Sequence, residues 1–422
     1  MFTNTFSPHV GGIARSVSEL AAGLRDAGHN VLVVAPEFPG SPKVEANVIR
    51  IPALQQFAGT DFSVPIPISR SLDKDLDAFA PDIVHSHHPF LLGGTALRVA
   101  AFRNLPIVFT YHTRYELYGH YALQNSKIMM RLALSLSLGY ADLCDAVIAP
   151  SQSTAEFLYQ NDIKVPVEII PTGVKASQFN AGDGAAARRE MGIPDDAFVV
   201  GHVGRLAPEK NLGYLTDSLI SFLKKDHRAH FLVAGGGAME AQIRADFAEA
   251  KLSEKLHMVG VVQGHALANI YAAMDVFAFS SHSETQGLVL AEAMTAGVSV
   301  VALDAPGACE IVEDGYNGRL LASNASPKVF ADALAVFAKA DPDEIQKLHA
   351  GAKATSQLYV NHRAVQHAVK FYSSVLATKP NAMKVEASPW EVAMRSLGRE
   401  WKIIGNVAHA VSDAVLAPNI DL

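Results

Sequence analysis

Cysteine is scarce in this chain. Only Cys144 and Cys309 occur among its 422 residues, and they lie far apart in the sequence. No Cys/His cluster has the spacing of zinc ligands, so the sequence offers no zinc site. Isolated thiols of this kind are typical of a reduced compartment, and we expect a cytoplasmic location.

Long apolar runs and a surplus of basic residues are also missing. No stretch of about 18 uninterrupted apolar residues is present, which excludes a spanning helix. The N-terminus lacks a basic region followed by an apolar run, so no signal peptide is visible. With 18% charged residues and a net charge of −7, the chain is not expected to bind nucleic acid. Its 49% hydrophobic content and its length predict two domains, or three at most.

Each half of the chain alternates short apolar runs with helical patterns and turn residues. Such alternation predicts parallel sheets covered by helices on both faces, and therefore two doubly wound α/β domains in succession. A boundary is expected at 169–174 and in the polar stretch 175–194. The runs that predict strands are 31–35, 83–85, 107–110 and 146–149 in the first half, and 198–203, 231–234, 276–279 and 298–302 in the second.

Polar residues follow several of these predicted strands. In open α/β sheets ligands bind outside the carboxyl ends of the strands, so two such domains facing each other would form a deep ligand cleft. The polar residues at strand ends are His85, His87 and His88 after one strand, His112 after another, Gly204 and Arg205 after a third, and Glu284 after a fourth.

The most informative junction runs from a buried strand predicted within 273–281 into a helix predicted over 288–296. Glu284 lies in the loop between them, and Glu292 lies more than a turn inside the helix. Backbone N–H groups near Gln286 would make an anion site at the helix start. Acids near a helix start also occur simply because they complement its dipole, so this junction alone leaves both interpretations open.

Two further patterns indicate phosphate binding. Arg205 and Lys210 lie five positions apart on a tight loop, where a forked and a mobile cation would suit a diphosphate. Gly11-Gly12 opens the first helix and would let backbone approach a ligand closely, although no dinucleotide fingerprint is present. Solvated cations and an ordinary turn are the plainer interpretations of these two patterns.

Together these residues resemble the family-4 retaining glycosyltransferases, which have the GT-B architecture of two Rossmann-like domains around a central cleft. The resemblance covers residues 1–376 in the family's order. The matching pieces are Phe6-Ser7-Pro8 with Gly11-Gly12, Tyr111-His112-Thr113, Ile170-Pro171-Thr172-Gly173-Val174, Gly204-Arg205 with Glu209-Lys210-Asn211, Ser283-Glu284-Thr285-Gln286-Gly287 through Glu292-Ala293-Met294, and Glu310-Ile311-Val312-Glu313-Asp314-Gly315.

The resemblance implies a role for each matching position. Arg205 and Lys210 would hold the diphosphate of a nucleotide-sugar donor, Glu292 the ribose hydroxyls and Glu284 a hydroxyl of the transferred sugar. The family needs no metal or cofactor, since the two cations neutralise the leaving diphosphate. Retention is explained by same-face attack in which the leaving phosphate takes the acceptor proton, so no dedicated base is required.

The resemblance also implies contacts around these side chains. His112 would contact the sugar near the reacting centre, and Gly11-Gly12 would close over the diphosphate from the other domain. Backbone amides for sugar and phosphate would come from Gln286, Gly287 and Leu288.

The implied domains are an N-terminal acceptor domain over 1–178, a nucleotide-sugar domain over 179–355, a crossing helix over 356–376 and a helical extension over 377–422. Family members usually have several residues before the first strand, whereas this chain begins almost inside it. An upstream start is therefore an alternative.

The acceptor is implied more narrowly by 110–121, which looks most like the diacylglycerol glucosyltransferases. This implies UDP-glucose as donor, a lipid acceptor, and peripheral contact with the inner face of the cell membrane. Mannosyl or other glycosyl transfer to a soluble or polysaccharide acceptor is an alternative within the family. A nucleotide-sugar epimerase and an inactive sugar-nucleotide-binding subunit are alternatives of another class.

The extension contains an apolar stripe at helical spacing, and both tryptophans of the chain lie on it. One interpretation is that the stripe packs on the parent domain or on a second subunit. The other is an interfacial helix in which Arg395, Arg399 and Lys402 would meet lipid phosphates. The stripe comprises Trp390, Met394, Leu397, Trp401, Ile404, Ala408 and Val411.

Overall fold

The structure is a computed structural model that describes residues 1–42, 44–54, 64–65, 70–114, 127–378 and 389–416. It divides into two compact units. The first unit comprises Met1–Gly173 together with Asn361–Leu422, and the second comprises Val174–Val360. The C-terminal segment therefore belongs to the same unit as the N-terminal half.

The first unit is built on parallel strands. Strands β1 (Val33–Pro36) and β2 (Val48–Ile51) pair with each other, and a second set runs in the order β5 (Val84–Ser86), β6 (Ile107–Thr110), β7 (Ala146–Ala149) and β8 (Val167–Ile169). Phe2 makes parallel bridges to Val34 on one side and to Ser86 on the other, and so joins the two sets. The short strands β3 (Ala53–Leu54) and β4 (Val64–Pro65) form a separate antiparallel pair.

Helices cover both faces of this sheet, because neighbouring strand residues enter two different cores. Along β6, Ile107 and Phe109 pack in one buried cluster and Val108 in another. The C-terminal Phe371 and Tyr372 complete the cluster around Val108. The helices of this unit are α1 (Gly12–Asp26), α2 (Arg70–Phe79), α3 (Leu92–Arg103), α4 (Lys127–Leu143), α5 (Gln152–Gln160), α14 (Asn361–Thr378) and α15 (Pro389–Leu416), counted along the described chain.

The second unit contains one sheet of six parallel strands. Their spatial order is β11 (Leu256–Met258), β10 (Ala229–Ala234), β9 (Phe198–Val203), β12 (Val276–Phe279), β13 (Ser299–Leu303) and β14 (Gly318–Leu321). Numbered from β9, this is the order 3-2-1-4-5-6 of a Rossmann sheet. The direction of winding reverses between β9 and β12, and ligands bind at such a switch point.

Helices cover both faces of this second sheet as well. Along β12, Phe277 and Phe279 enter one cluster, whereas Val276 and Ala278 enter another. Several helices of this unit have a side-chain cap at their N-terminus. For example, the Ser326 hydroxyl accepts a hydrogen bond from the Val329 amide. The helices are α6 (Ala176–Phe179), α7 (Gly184–Glu190), α8 (Leu212–Leu223), α9 (Glu240–Glu249), α10 (Gly264–Ala272), α11 (Leu288–Thr295), α12 (Pro327–Lys339) and α13 (Pro342–Ser356).

Helix α15 packs on its own unit, but not through the predicted stripe. Its small residues Ala410 and Ala414 are buried, and Glu400 accepts two hydrogen bonds from Arg98 of α3, at 2.6 and 3.0 Å. A Cβ on Gly139 of α4 would lie 1.7 Å from Oδ1 of Asn406, so glycine is needed for this close approach.

The interpretation that the apolar stripe packs on the parent domain is therefore wrong. Small residues, hydrogen-bonding residues and the half-buried Ile403 make the contact, whereas the residues of the stripe point away from it. All seven stripe residues are exposed: Trp390, Met394, Leu397, Trp401, Ile404, Ala408 and Val411. Within the described ranges, no helix is both long and apolar enough to cross a membrane.

Candidate active site

The candidate site of the second unit lies where the winding of the sheet reverses. The loop after β9 contains Lys210, and the loop after β12 contains Ser280 and Glu284. Hydrogen bonds tie these loops together: the Ser280 hydroxyl donates to the carbonyl of Lys210 at 3.1 Å, and the Asn211 amide donates to the carbonyl of Ser280 at 3.2 Å. The Ser283 hydroxyl donates to the Glu209 carbonyl at 3.1 Å.

Lys210 and Glu284 form a largely buried ion pair across these two loops. Lys210 Nζ donates to Glu284 Oε1 at 2.6 Å, with 14% and 19% of the respective side chains exposed. Burial favours the neutral form of Glu284, but the charge of Lys210 and hydrogen bonds from Lys210 and Ser281 outweigh it, so the pKa of Glu284 is lowered. The pair is therefore charged at neutral pH.

Arg205 is positioned by an acid on the same loop. Its Nη2 donates to Glu209 Oε1 at 2.5 Å. Only 4% of the Glu209 side chain is exposed, compared with 39% for Arg205. The buried carboxylate thus fixes the guanidinium of a partly exposed arginine. Glu209 was quoted in the sequence motif, but its role in holding Arg205 was not predicted.

Helix α11 begins next to this pair, where the sequence predicted a helix start. Its N-cap residue, Gly287, has φ 72°, and no side chain caps the helix. A Cβ at Gly287 would meet the carbonyl oxygen of Gly307 at 2.7 Å, so both the backbone angle and the space require glycine. Gln286 before it is buried, and Leu288 is the first helical residue. The first amides of this helix therefore point out of the N-terminus without a side-chain partner from the N-cap.

Glu292 lies in the second turn of α11 and is 1% exposed. The Tyr271 hydroxyl, from α10, donates to its Oε2 at 2.8 Å. Tyr271 was not predicted from the sequence, because it lies 21 positions from Glu292 and no local pattern links the two residues. One carboxylate oxygen is thus fixed by a buried phenol.

His202, near the end of β9, is a second residue of this region that was not predicted from the sequence. Its Nδ1 lies 3.1 Å from the carbonyl oxygen of Ala278. Its Nε2 is buried and has no hydrogen-bond partner within the described part of the chain. Burial lowers the pKa of His202 to about 4, although the Ala278 carbonyl raises it, so the ring is neutral near pH 7.

In the first unit, the predicted glycine pair opens α1. Gly11 is the N-cap and has extended backbone, and no side chain caps the helix. An added Cβ would lie 3.4 Å from His9 Nε2 at Gly11 and would meet nothing within 4 Å at Gly12. The space beside the backbone at Gly12 is therefore left open by its own unit.

His112 lies two residues beyond β6, as predicted, and pairs with another histidine of the same unit. Its Nε2 is 3.0 Å from His87 Nδ1, and the two rings are stacked with centroids 5.3 Å apart. Burial lowers the pKa of His112 to about 3. Since both rings are neutral, one of the two facing nitrogens carries the shared proton and the other accepts it.

Two further histidines form hydrogen bonds in the same interior. His85 Nε2 lies 2.7 Å from the Thr110 hydroxyl, and its Nδ1 lies 2.7 Å from the Tyr372 hydroxyl of α14. The Asn4 amide donates to His88 Nδ1 at 3.1 Å. Burial lowers the pKa of His88 to about 3 and lowers that of His85 well below its usual value. The first unit therefore holds a cluster of neutral imidazoles.

The structure brings Arg205, Lys210, Glu284, Glu292 and the start of α11 together in the second unit. Gly11, Gly12 and His112 lie in the first unit. The resemblance of 110–121 to the diacylglycerol glucosyltransferases depends in part on residues 115–121, which lie outside the described residues. In the ranges that the structure describes, no group of three or more His, Cys, Asp or Glu residues is arranged to hold a metal ion.

Comparisons with known proteins identify the class of this fold and site. The model described as Glycosyltransferase Family 4 matches residues 10–178, and that described as Glycosyl transferases group 1 matches residues 184–355. The solved structure of Anabaena HepE in complex with UDP-glucose superposes with a TM-score of 0.69 at 20% identity, covering 88% of this chain and 99% of that one. The protein is thus a glycosyltransferase enzyme with the GT-B fold. It belongs to glycosyltransferase family 4, which confirms the resemblance drawn from the motifs.

Two relatives of this chain are named for different activities. The alpha-monoglucosyldiacylglycerol synthase of Streptococcus pneumoniae is 28% identical over 333 residues, which are 76% of this chain and 74% of that protein. The GDP-mannose-dependent alpha-mannosyltransferase of Mycobacterium tuberculosis is 31% identical over 323 residues, which are 75% of this chain and 82% of that protein. The family is therefore established, whereas the relatives differ in donor and acceptor.

The neutral histidine cluster makes the stability of the first unit depend on pH. The folded pKa of His88 is about 3 and the unfolded value is about 6.5, so the unfolded chain binds the proton first as pH falls. The contribution of neutral His88 to the free energy of unfolding is therefore fully present above about pH 6.5 and declines as the pH falls below that value. Between pH 7 and 5.5, His88→Gln should reduce this decline by about 1 kcal/mol. Urea unfolding followed by circular dichroism at each pH measures it.

The matched control for this measurement is His29→Gln, since His29 is exposed. This control should keep the pH dependence of the unmodified protein. An identical decline for His88→Gln and the unmodified protein would contradict the assignment of a neutral, buried His88.

Proposed function

We propose that this enzyme transfers a hexose, with retention of configuration, from a nucleotide-diphosphate sugar to a hydroxyl group of a lipid. UDP-glucose is the proposed donor and diacylglycerol the proposed acceptor. The observation that carries the proposal is the Lys210–Glu284 pair, which lies beside the start of α11 at the switch point of the second sheet.

Lys210 and Arg205 suit the donor diphosphate. An ammonium has three N–H donors, so Lys210 is able to bridge Glu284 and a phosphate oxygen at the same time. Arg205 is held by Glu209, its side chain is 39% exposed, and its planar guanidinium suits the oxygens of a phosphate. The amides of Gln286, Gly287 and Leu288 add dipoles of the same sign. These cations and dipoles would neutralise the leaving diphosphate without a metal ion or cofactor.

The two carboxylates suit hydroxyl groups. Glu284 is ionised beside Lys210, and an ionised carboxylate accepts hydrogen bonds from a sugar hydroxyl. Glu292 is oriented by the hydrogen bond from Tyr271, and a carboxylate accepts hydrogen bonds from ribose hydroxyls. We assign Glu284 to the transferred sugar and Glu292 to the ribose.

The remaining predicted residues complete the mechanism that we propose. Neutral His112 would hydrogen-bond the sugar near the reacting carbon without adding a charge. Gly11 and Gly12 would allow backbone to approach the diphosphate closely. The leaving phosphate would take the acceptor proton, so that attack occurs on the face from which the nucleotide departs.

A lipid acceptor is supported by the two relatives named alpha-monoglucosyldiacylglycerol synthase, and with it we propose peripheral contact with the inner face of the membrane. Mannosyl transfer from GDP-mannose is the second candidate, because two relatives named GDP-mannose-dependent alpha-mannosyltransferase are 31% identical to this chain.

A donor panel with and without acceptor separates these functions. The enzyme is incubated with UDP-glucose or GDP-mannose, alone and then with detergent-dispersed diacylglycerol, and products are separated by chromatography before their masses are measured, because an epimer has the mass of its parent sugar nucleotide. We expect glucosyl-diacylglycerol only when UDP-glucose and lipid are both present. Mannosyl product from GDP-mannose would favour the second candidate. Isomerised sugar nucleotide without acceptor would indicate an epimerase, and no reaction with any donor would indicate an inactive subunit.

Removing either cation should weaken sugar transfer severely. Losing a charge-assisted contact to a phosphate costs about 2–4 kcal/mol, so Arg205→Ala and Lys210→Ala should each lower kcat/KM about 30- to 1000-fold. Each change leaves a largely buried carboxylate without its ion-pair partner, so thermal unfolding is followed in parallel and rates are compared at a temperature at which each variant is folded. Lys224→Ala, at an exposed position of the same unit, is the control. Unmodified turnover in the Arg205/Lys210 double variant would contradict the diphosphate assignment.

The two carboxylates should separate when each is replaced by its amide. Glu292→Gln should weaken binding of free UDP about 10- to 100-fold, because it removes a charged hydrogen bond to the ribose. Glu284→Gln should lower transfer more than UDP affinity, because its partner is the sugar. Titration calorimetry with UDP and initial rates of transfer measure the two effects.

Tyr271→Phe is the matched control for Glu292→Gln. It removes only the hydroxyl that orients Glu292, so it should weaken UDP binding less than Glu292→Gln. Equal losses of UDP affinity in Glu284→Gln and Glu292→Gln would contradict the division of roles.

A further inference from the structure

Helix α15 lies outside the two family models, which match residues 10–178 and 184–355. One face of this helix packs on α3 and α4, and the opposite face is exposed. Trp390 and Trp401 are 71% and 73% exposed, and Leu397 and Ile404 are 55% and 56% exposed. This exposed stripe runs from Trp390 to Val411, a length of about 30 Å at 1.5 Å per residue.

The exposed stripe has no charged member. Its residues are Trp, Met, Leu, Ile, Ala and Val, at spacings of four and three. A contiguous apolar surface of this size is typical of an interaction site rather than of solvent-exposed helix. Tryptophan is also the side chain that favours the boundary between headgroups and acyl chains.

A cationic cavity of about 270 Å³ opens along one flank of this helix. Three cations line it, and its lining within the described chain contains no acidic side chain. Arg395 Nε is buried and has no hydrogen-bond partner among the described residues, whereas Arg399 donates to the Leu143 carbonyl. We define the cationic cavity by Ala100, Asn104, Arg395, Gly398, Arg399 and Lys402.

The cavity and the exposed stripe are arranged as on an interfacial helix. Arg395 and Lys402 are seven positions apart, so they lie on the same side of the helix, about 120–140° from Trp390. If the stripe enters the acyl boundary, these cations lie higher, at the level of lipid phosphates. The size of the cavity is sufficient for a phosphate group.

We propose that the exposed stripe and the cationic cavity of α15 together form a docking surface for the anionic headgroups of a lipid bilayer. The inference rests on the proposed lipid acceptor, since docking would bring the enzyme to the surface that holds it. A second copy of the chain fits less well, because an isologous interface places a patch against itself and would oppose the two cationic cavities.

The chain supplies its own probe for this surface, because its two tryptophans are both in the stripe. The full-length protein is mixed with vesicles of phosphatidylcholine alone or with about 30% phosphatidylglycerol, the anionic component. We expect the tryptophan emission to shift to the blue and the protein to sediment with the anionic vesicles. Salt at about 0.5 M should weaken this binding, since it screens charges at the surface.

Paired variants separate the two parts of the surface. Arg395→Gln with Lys402→Gln should weaken binding to anionic vesicles about thirtyfold, at about fivefold for each cation near the surface. Trp390→Ala with Trp401→Ala, followed by sedimentation, should weaken it about tenfold or more. The control is Lys224→Gln with Lys347→Gln, an equal change of charge at exposed positions of the second unit, which should bind as the unmodified protein does.

Three results would overturn the proposal. These are an emission spectrum unchanged by anionic vesicles, an equal loss of binding in the control pair, and a blue shift that depends on protein concentration without vesicles while sedimentation equilibrium shows dimers. The last result would assign the stripe to a second copy. Glucosyl transfer to detergent-dispersed diacylglycerol is measured in parallel, so that docking is able to fail while the proposed function stands.

Discussion

The ion pair between Lys210 and Glu284 is the constraint on which the second unit's site depends. It joins two residues that are 74 positions apart in sequence, on loops that follow strands adjacent in the sheet. A lysine and a glutamate with less than a fifth of either side chain exposed are stable there only as a pair, because either charge alone would lose its hydration without compensation. The hydrogen bonds of Ser280, Ser283 and Asn211 hold the backbone that brings them together.

The first unit places its polar groups under a different constraint. Its histidines are kept neutral by burial and are satisfied by hydroxyls, by backbone amides or by one another. The second unit concentrates charge at strand ends, whereas the first concentrates uncharged hydrogen-bonding groups there. This difference agrees with a division in which one unit binds a charged donor and the other contacts uncharged hydroxyls.

Periodicity and turn residues were sufficient to predict the parallel sheets, the start of α11 and the positions of His112, Arg205 and Glu284 at strand ends. They were not sufficient for Tyr271 or His202, whose roles depend on neighbours distant in sequence. The face of α15 that packs on its unit could not be predicted from the stripe for a related reason. Large apolar residues dominate the helical pattern, but in the packed face Ala410 and Ala414 are buried, Ile403 packs on the core and Asn406 lies against Gly139.

The order of the two units along the chain has a consequence for synthesis on the ribosome. The second unit is one continuous segment, Val174–Val360, whereas the first requires Asn361–Leu422 to be complete. Phe371 and Tyr372 of α14 fill a core whose members from Phe6 to Ile170 emerge about 200 or more residues earlier. The N-terminal half therefore waits, with part of its interior uncovered, while the second unit is translated and able to fold. A nascent chain of this kind has its greatest need of chaperones before its last helices leave the exit tunnel.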